Sequence, residues 1–121
     1  MAGHLLSSTP LKFCLHTSTI KPQPLLKKIE PAGTAGYDGI ELWLNDVYDH
    51  IGRGGEVSDV EKALADHGLI VPCTIAIRQW GETDGWEYEL VKDEARRRFA
   101  LAARLCAPYI VATPPLEMEH Q

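Results

Sequence analysis

Apolar residues along this chain recur in two rhythms that take turns. Residues 12–20 (KFCLHTSTI) are rich in β-branched and aromatic side chains and are closed off by Pro22 and Pro24, which predicts a strand. Pro24 suits the first turn of a helix, where an amide hydrogen would go unpaired in any case. Leu25, Leu26, Ile29 and Ala32 then follow at helical spacing. Pro31 and Gly33 fall inside that pattern. An interior proline removes a hydrogen bond and costs about 3 kcal/mol, so this helix is expected to be kinked or short. Ala35-Gly36 ends it, the glycine being free to take a positive φ.

A second strand is predicted over residues 37–44 (YDGIELWL), followed by a polar loop over 45–55 with Gly52, Gly54 and Gly55. Ser58-Asp59-Val60-Glu61 has the form of a capping box, with Val60, Ala63 and Leu64 as the apolar stripe of the next helix and Gly68 as its stop. Residues 69–77 (LIVPCTIAI) are almost wholly apolar, as in a strand buried on both faces. Pro72 cannot donate to a sheet ladder, which places it at a bulge or a strand end. A polar loop over 78–87 contains Trp80 and Trp86. Over 88–105, apolar residues recur at Leu90, Val91, Ala95, Phe99, Ala102, Ala103 and Cys106, with Arg96, Arg97 and Arg98 expected to face water. Pro108 ends that helix. Residues 109–113 (YIVAT) read as a fourth strand, stopped by Pro114-Pro115. Residues 1–10 have no period and read as a loose leader, and residues 116–121 as a polar tail.

The order is strand, helix, strand, helix, strand, helix, strand. Strands beginning near Tyr37, Leu69 and Tyr109 recur about every thirty to forty residues, which requires parallel strands joined by right-handed helical crossovers. The fold class is therefore α/β. Physics leaves two solutions, a small open sheet with helices on both faces or one side of a (β/α)8 barrel.

Composition narrows the class of protein. A chain of 121 residues holds one domain, expected over residues 11–115. Its 45% hydrophobic and 24% charged residues are those of an ordinary globular protein. A net charge of −5 argues against nucleic acid or an anionic membrane as partner. No apolar run approaches the roughly 20 residues of a membrane span, and the first residues lack a basic region followed by an apolar core. A soluble, cytoplasmic protein is expected. Cys14, Cys73 and Cys106 form no C-x-x-C pair, which reads as reduced, buried thiols.

In either architecture, ligands meet the carboxyl ends of the strands. Strand one delivers His16, Thr17 and Ser18 there, and strand two Glu41, Trp43, Asn45 and Asp46. Strand three delivers Arg78 and Trp80, and strand four Thr113. The candidate substrate-binding residues are His16, Glu41, Trp43, Arg78 and Trp80. A carboxylate inside an apolar strand needs a partner or a metal, which singles out Glu41. Arg78 can clamp a carboxylate or phosphate through two parallel hydrogen bonds. Each also has a plainer reading. His16 serves equally as a hydrogen-bonded strand end, Glu41 as a structural acceptor, Trp43 and Trp80 as packing, and Arg78 as a solvated side chain. The chain lacks G-x-x-x-x-G-K-[ST], G-x-S-x-G, H-E-x-x-H and G-x-G-x-x-G, and its five histidines do not cluster at metal-ligand spacing.

KFCLHTSTI, then AGYDGIELW, then DHGLIVPCTIAI together resemble the start of the xylose isomerase-like TIM-barrel superfamily. The most specific element is Gly36-Tyr37-Asp38-Gly39-Ile40-Glu41-Leu42, with Trp43 similar to the 3-dehydroshikimate dehydratase-like branch. The resemblance runs from Lys12 to Pro115 and covers about four strands and three helices, the first half of that fold. It implies a sugar phosphate isomerase or epimerase, or a dehydratase acting as a lyase, on a small sugar-like or hydroxy-acid substrate. It carries over His16, Glu41 and, after strand three, Arg78 as pocket wall. It also implies a divalent metal, Mg²⁺ or Mn²⁺, that stabilises an enediolate. The family holds that metal with carboxylates and a histidine from its last four strands, so the expectation is a truncated domain that binds no metal and is inactive by itself. The alternative is a non-catalytic α/β module that pairs as a homodimer, two half-barrels closing one ring through the edges of strands one and four.

Overall fold

The computed structural model describes residues 11–115. The expected leader and tail lie outside them. Strand β1 (Cys14–His16) runs directly into a 3₁₀ turn (Thr17–Ile20), and α1 (Leu25–Thr34) follows. The strand expected over 12–20 is thus only three residues long, because the chain turns at His16. The His16 ring caps that turn by accepting the Ser18 amide hydrogen. Helix α1 takes the short form of the two that Pro31 allowed. It spans ten residues, with Pro31 in its last turn on the solvent side, and Gly36 follows with φ +87°.

Strand β2 (Gly39–Trp43) then leads without a break into helix α2 (Leu44–Gly52). The polar loop expected there is mostly helix. Asn45, Asp46, Asp49 and His50 gave the segment its polar look, but Leu44, Val47, Tyr48 and Ile51 are spaced as a helical stripe, and Leu44 and Val47 are fully buried. Helix α3 (Val57–Asp66) is capped two residues earlier than the motif suggested. The Glu56 amide donates to Asp59 Oδ2 at 2.8 Å, while Glu61 is drawn away to Arg104. Asp59 also bonds His50 Nε2, and these two donors hold its carboxyl below the usual range.

Strand β3 (Cys73–Ile77) starts just after Pro72, which places that proline at the strand end. Helix α4 (Gly85–Arg104) begins inside the expected loop, and β4 (Tyr109–Ala112) closes the described fold. All four strands are parallel and lie in sequence order, β1-β2-β3-β4. Gly39 sits where β1, β2 and the approach to β3 crowd together. A side-chain carbon there would lie 2.8 Å from the Ile70 carbonyl oxygen and 2.9 Å from Cys14 Sγ, so the glycine of the Gly-Ile-Glu-Leu run is a matter of space.

The helices cover one face of the sheet. Ile40 and Leu42 of β2 meet Leu25, Ile29 and Ala32 of α1, Leu44 and Val47 of α2, Val60 and Leu64 of α3, and Leu101 of α4 in a single apolar core. Side chains of opposite parity point to the other face, where no described element covers them. This corrects the expectation that β3 is buried on both faces: Thr74 and Ala76 are buried, whereas Cys73 and Ile75 are half-exposed. It corrects the cysteines too. Cys73 is half-buried and Cys14 and Cys106 are exposed, Cys14 at an open sheet edge and Cys106 at a left-handed helix stop with φ +59°. Among the described residues no helix is long and apolar enough to cross a membrane.

Candidate functional site

The uncovered face presents one transverse row of side chains. His16 of β1 stands beside Glu41 of β2 in register, and Cys73 of β3 stands beside Tyr109 of β4. The pairing of Leu42 with Thr74 puts Glu41 next to Cys73, one step back on the same two strands. The row lies where β1 ends and turns, so histidine and carboxylate share one surface at the carboxyl end of that strand.

His16 is fixed in its protonation pattern by the backbone. Its Nδ1 lies 2.9 Å from the Ser18 amide nitrogen and 2.6 Å from Ser18 Oγ. An amide can only donate, so Nδ1 carries the lone pair and the neutral ring bears its hydrogen on Nε2. That Nε2–H is the donor the ring can offer to a bound molecule. Glu41 supplies the complementary acceptor. Its charge acts on Cys73, whose thiol is pushed up first by burial and then by the Glu41 carboxylate, while the thiol itself donates to the Thr74 carbonyl at 3.5 Å. Glu41→Gln removes the negative charge and should lower the Cys73 pKa. Alkylation of Cys73 near pH 8 is therefore expected to speed up in the variant; an unchanged rate would show that the two groups are not neighbours.

Trp43 lies two residues beyond Glu41 on the same face. Its amide donates to Thr17 Oγ1 at 3.0 Å, and Thr17 is fully buried, so the end of β2 is pinned to the β1 turn. Lys21 Nζ stands 4.9 Å from the centre of the indole ring, a cation–π contact. Behind Trp43, Lys28 of α1 is wholly buried and bonds Asp46 Oδ2 at 2.8 Å. This ion pair ties α1 to the first turn of α2 and so steadies the end of β2 from the helical side.

Arg78 and Trp80 lie elsewhere. Arg78, exposed, lines a hollow of about 1000 Å³ beside β3 and α4, together with Asn45, Gln79, Leu90, Arg98 and Thr113. Trp80 is 45% exposed, and its indole N–H donates to the Thr113 carbonyl at 2.8 Å. It straps the β3–α4 loop to the end of β4. The five sequence candidates thus divide into His16, Glu41 and Trp43 on the sheet face, Arg78 at the hollow, and Trp80 as a strap.

The residue that sequence reasoning missed is Arg98. It was expected in water with Arg96 and Arg97, but it is 18% exposed. It reaches Glu94, the Ala76 carbonyl and Asn45 Oδ1 at 2.9, 3.1 and 2.9 Å, and lies over the Tyr48 ring. The signal was positional, since Val91, Ala95, Arg98 and Ala102 fall on one helical stripe. The same geometry turns Leu90 and Phe99 outward, at 58% and 50% exposure, where the apolar count had placed them inside.

Four parallel strands in sequence order with helices on one side recur in solved structures. A xylose isomerase-like TIM barrel/4-hydroxyphenylpyruvate dioxygenase fusion protein superposes with a TM-score of 0.71 at 23% identity, over 85% of this chain. The probable 3-DHS dehydratase AsbF from Bacillus anthracis, involved in petrobactin synthesis, gives 0.70 at 18% identity over 88%. A protein from Sinorhizobium meliloti 1021 gives 0.71 at 19% identity over 84%. The fold is that of part of a TIM barrel. Of the two architectures open to the sequence, the half-barrel is the one found. The chain spans only 16%, 39% and 35% of the length of those three chains. No family model and no curated protein matches it.

The metal that the resemblance implies can be tested against the donor set. Among the described residues no three or more His, Cys, Asp or Glu side chains come together as a cation site. His16 offers a hydrogen where a metal needs a lone pair, and Asp46 is committed to Lys28, which leaves Glu41 without a second ligand beside it. The described residues do not fit the group.

Proposed function

We propose that this chain supplies the substrate-contacting wall of a barrel of isomerase, epimerase or dehydratase type, acting on a small sugar-like or hydroxy-acid molecule. The observation that carries this reading is the pairing of His16 with Glu41 on the uncovered face at the end of β1, a fixed N–H donor beside a carboxylate acceptor. Adjacent hydroxyl and carbonyl oxygens of a polyol are matched by such a donor–acceptor pair, and Trp43 offers an apolar edge beside it. The dehydratase among the similar folds supports the reading.

No chemical step is assigned to the described residues. They bind and orient, and proton removal next to a carbonyl would need groups beyond them. The reading is tested by titrating the chain with sugar phosphates and hydroxy acids while following the His16 ring and Trp43 indole resonances. Both are expected to move together for one class of compound, with no exchange of substrate hydrogen into deuterated solvent in the presence of Mg²⁺ or Mn²⁺. Resonances of Arg78 and Arg98 moving instead would transfer the site to the hollow beside β3 and α4. Metal-dependent turnover would overturn the statement that the chain binds without converting.

A further inference from the structure

We propose that a second copy of this chain occupies the open sheet, so that two half-barrels related by a twofold axis close one eight-stranded parallel ring. The axis lies along the strands, which keeps every strand parallel and brings β4 of each copy beside β1 of the other. The four described strands of two copies together make eight, the number in a (β/α)8 ring.

The register fixes how the copies meet. The row His16, Glu41, Cys73, Tyr109 enters at the last residue of β1 and leaves at the first residue of β4. A closed barrel of this type accumulates a shear of about eight residues around the ring, so each copy supplies about four. Continued by that step, the row passes from Tyr109 to Lys12 of the second copy. Ile110 then lies beside Phe13, Val111 beside Cys14, and Ala112 beside Leu15.

These pairs agree with what each side chain already faces. Ile110 and Leu15 pack on the helix-side core, and Phe13 shares the parity of Leu15. Val111 and Cys14 share the other face. A step of an odd number of residues would instead set core-facing against open-face side chains at every position.

Bare apolar side chains stand at both of these edges, as they also do on α4 at Trp86, Leu90 and Phe99. Leu11 and Phe13 are 87% and 69% exposed beside β1, and Tyr109 is 72% exposed on β4. Covering an aromatic side chain buries about 150–250 Å². Leu11, Phe13 and Tyr109 supply most of that area, with smaller additions from Trp43, Ile75 and Val111, which are already partly covered, toward the roughly 800 Å² a side of a standard interface. Unpaired strand edges with bare aromatic residues are also what a lone sheet would need to protect against open-ended association.

The test has two arms. Light scattering on the unaltered chain is expected to give twice the chain mass. In a background with Cys73→Ser and Cys106→Ser, Val111→Cys is expected to form a disulfide with Cys14 of the other copy under mild oxidation. Neighbouring parallel strands lie about 4.8 Å apart, within the reach of a disulfide. The covalent dimer should vanish when Cys14→Ser is added. A monomer, an open-ended oligomer, or a dimer in which that bond does not form each overturns the proposal. None of these outcomes depends on ligand binding, so the wall assigned to His16 and Glu41 stands or falls separately.

Discussion

Asp46→Ala is expected to destabilise the protein by about 3–5 kcal/mol, the cost of leaving a buried charge without its partner. Lys28 has no exposed surface, and its ammonium bonds Asp46 Oδ2 at 2.8 Å. Once the carboxylate is gone, α1 must either hold a bare ammonium in the core or swing it out and give up the packing of Leu25, Ile29 and Ala32. Asp46 also sits in the first turn of α2, where a negative charge adds about 0.3–1 kcal/mol. Against a total stability of about 5–15 kcal/mol the loss is large, and the melting temperature should fall by more than about 10 °C. The partner substitution is unequal. Lys28→Met leaves Asp46, which is 16% exposed, in contact with water, so it should cost much less. Replacing both, Lys28→Met with Asp46→Leu, should recover most of the stability, since apolar pairs of similar volume do as well as buried ion pairs. Denaturant melts of the three variants check the order. Equal losses for the two single variants would mean that Lys28 reaches water in solution.

That pair marks where the sequence stops being legible. Lys28 reads as one more polar residue on a short helix, and nothing local says that the next layer holds a carboxylate for it. The same is true of Arg98, which differs from Arg96 and Arg97 only by its place on the stripe of Val91 and Ala95. Strand order and direction were legible, because alternating strands and helices of this length permit parallel crossovers and little else. Strand and helix limits were less so. β1 stops at His16 because a side chain caps the turn, and α2 forms in a segment whose polar residues outnumber its buried ones. The site was legible in part for a related reason. His16 and Glu41 stood out as polar residues in apolar strands, and the register makes them neighbours. Arg78 and Trp80 stood out by the same rule, but they follow β3, and there the loop carries them to the hollow and to the strap. Position at a strand end names the candidates, while the turn after the strand decides which of them meet.

Leu42→Ala and Glu41→Gln, one residue apart on β2, are expected to have opposite consequences. Leu42 is fully buried among α1, α2 and α3 side chains, so removing its side chain should cost about 2–5 kcal/mol through lost transfer energy and the cavity left behind. The upper part of that range is expected, because the site is closed in by strand backbone on one side and helices on the other and has little room to collapse. Glu41 points to the uncovered face, half-buried, with Cys73 as its described neighbour. Glutamine keeps its shape and an acceptor oxygen, so the change in stability should stay within about 1 kcal/mol. What Glu41→Gln should remove is the charge in the row with His16, and with it the preference for hydroxyl donors on that face. Thermal melts and ligand titrations on both variants separate the two faces of the strand. A destabilised Glu41→Gln protein with ligand shifts intact would make the carboxylate a structural group and end its role in the site.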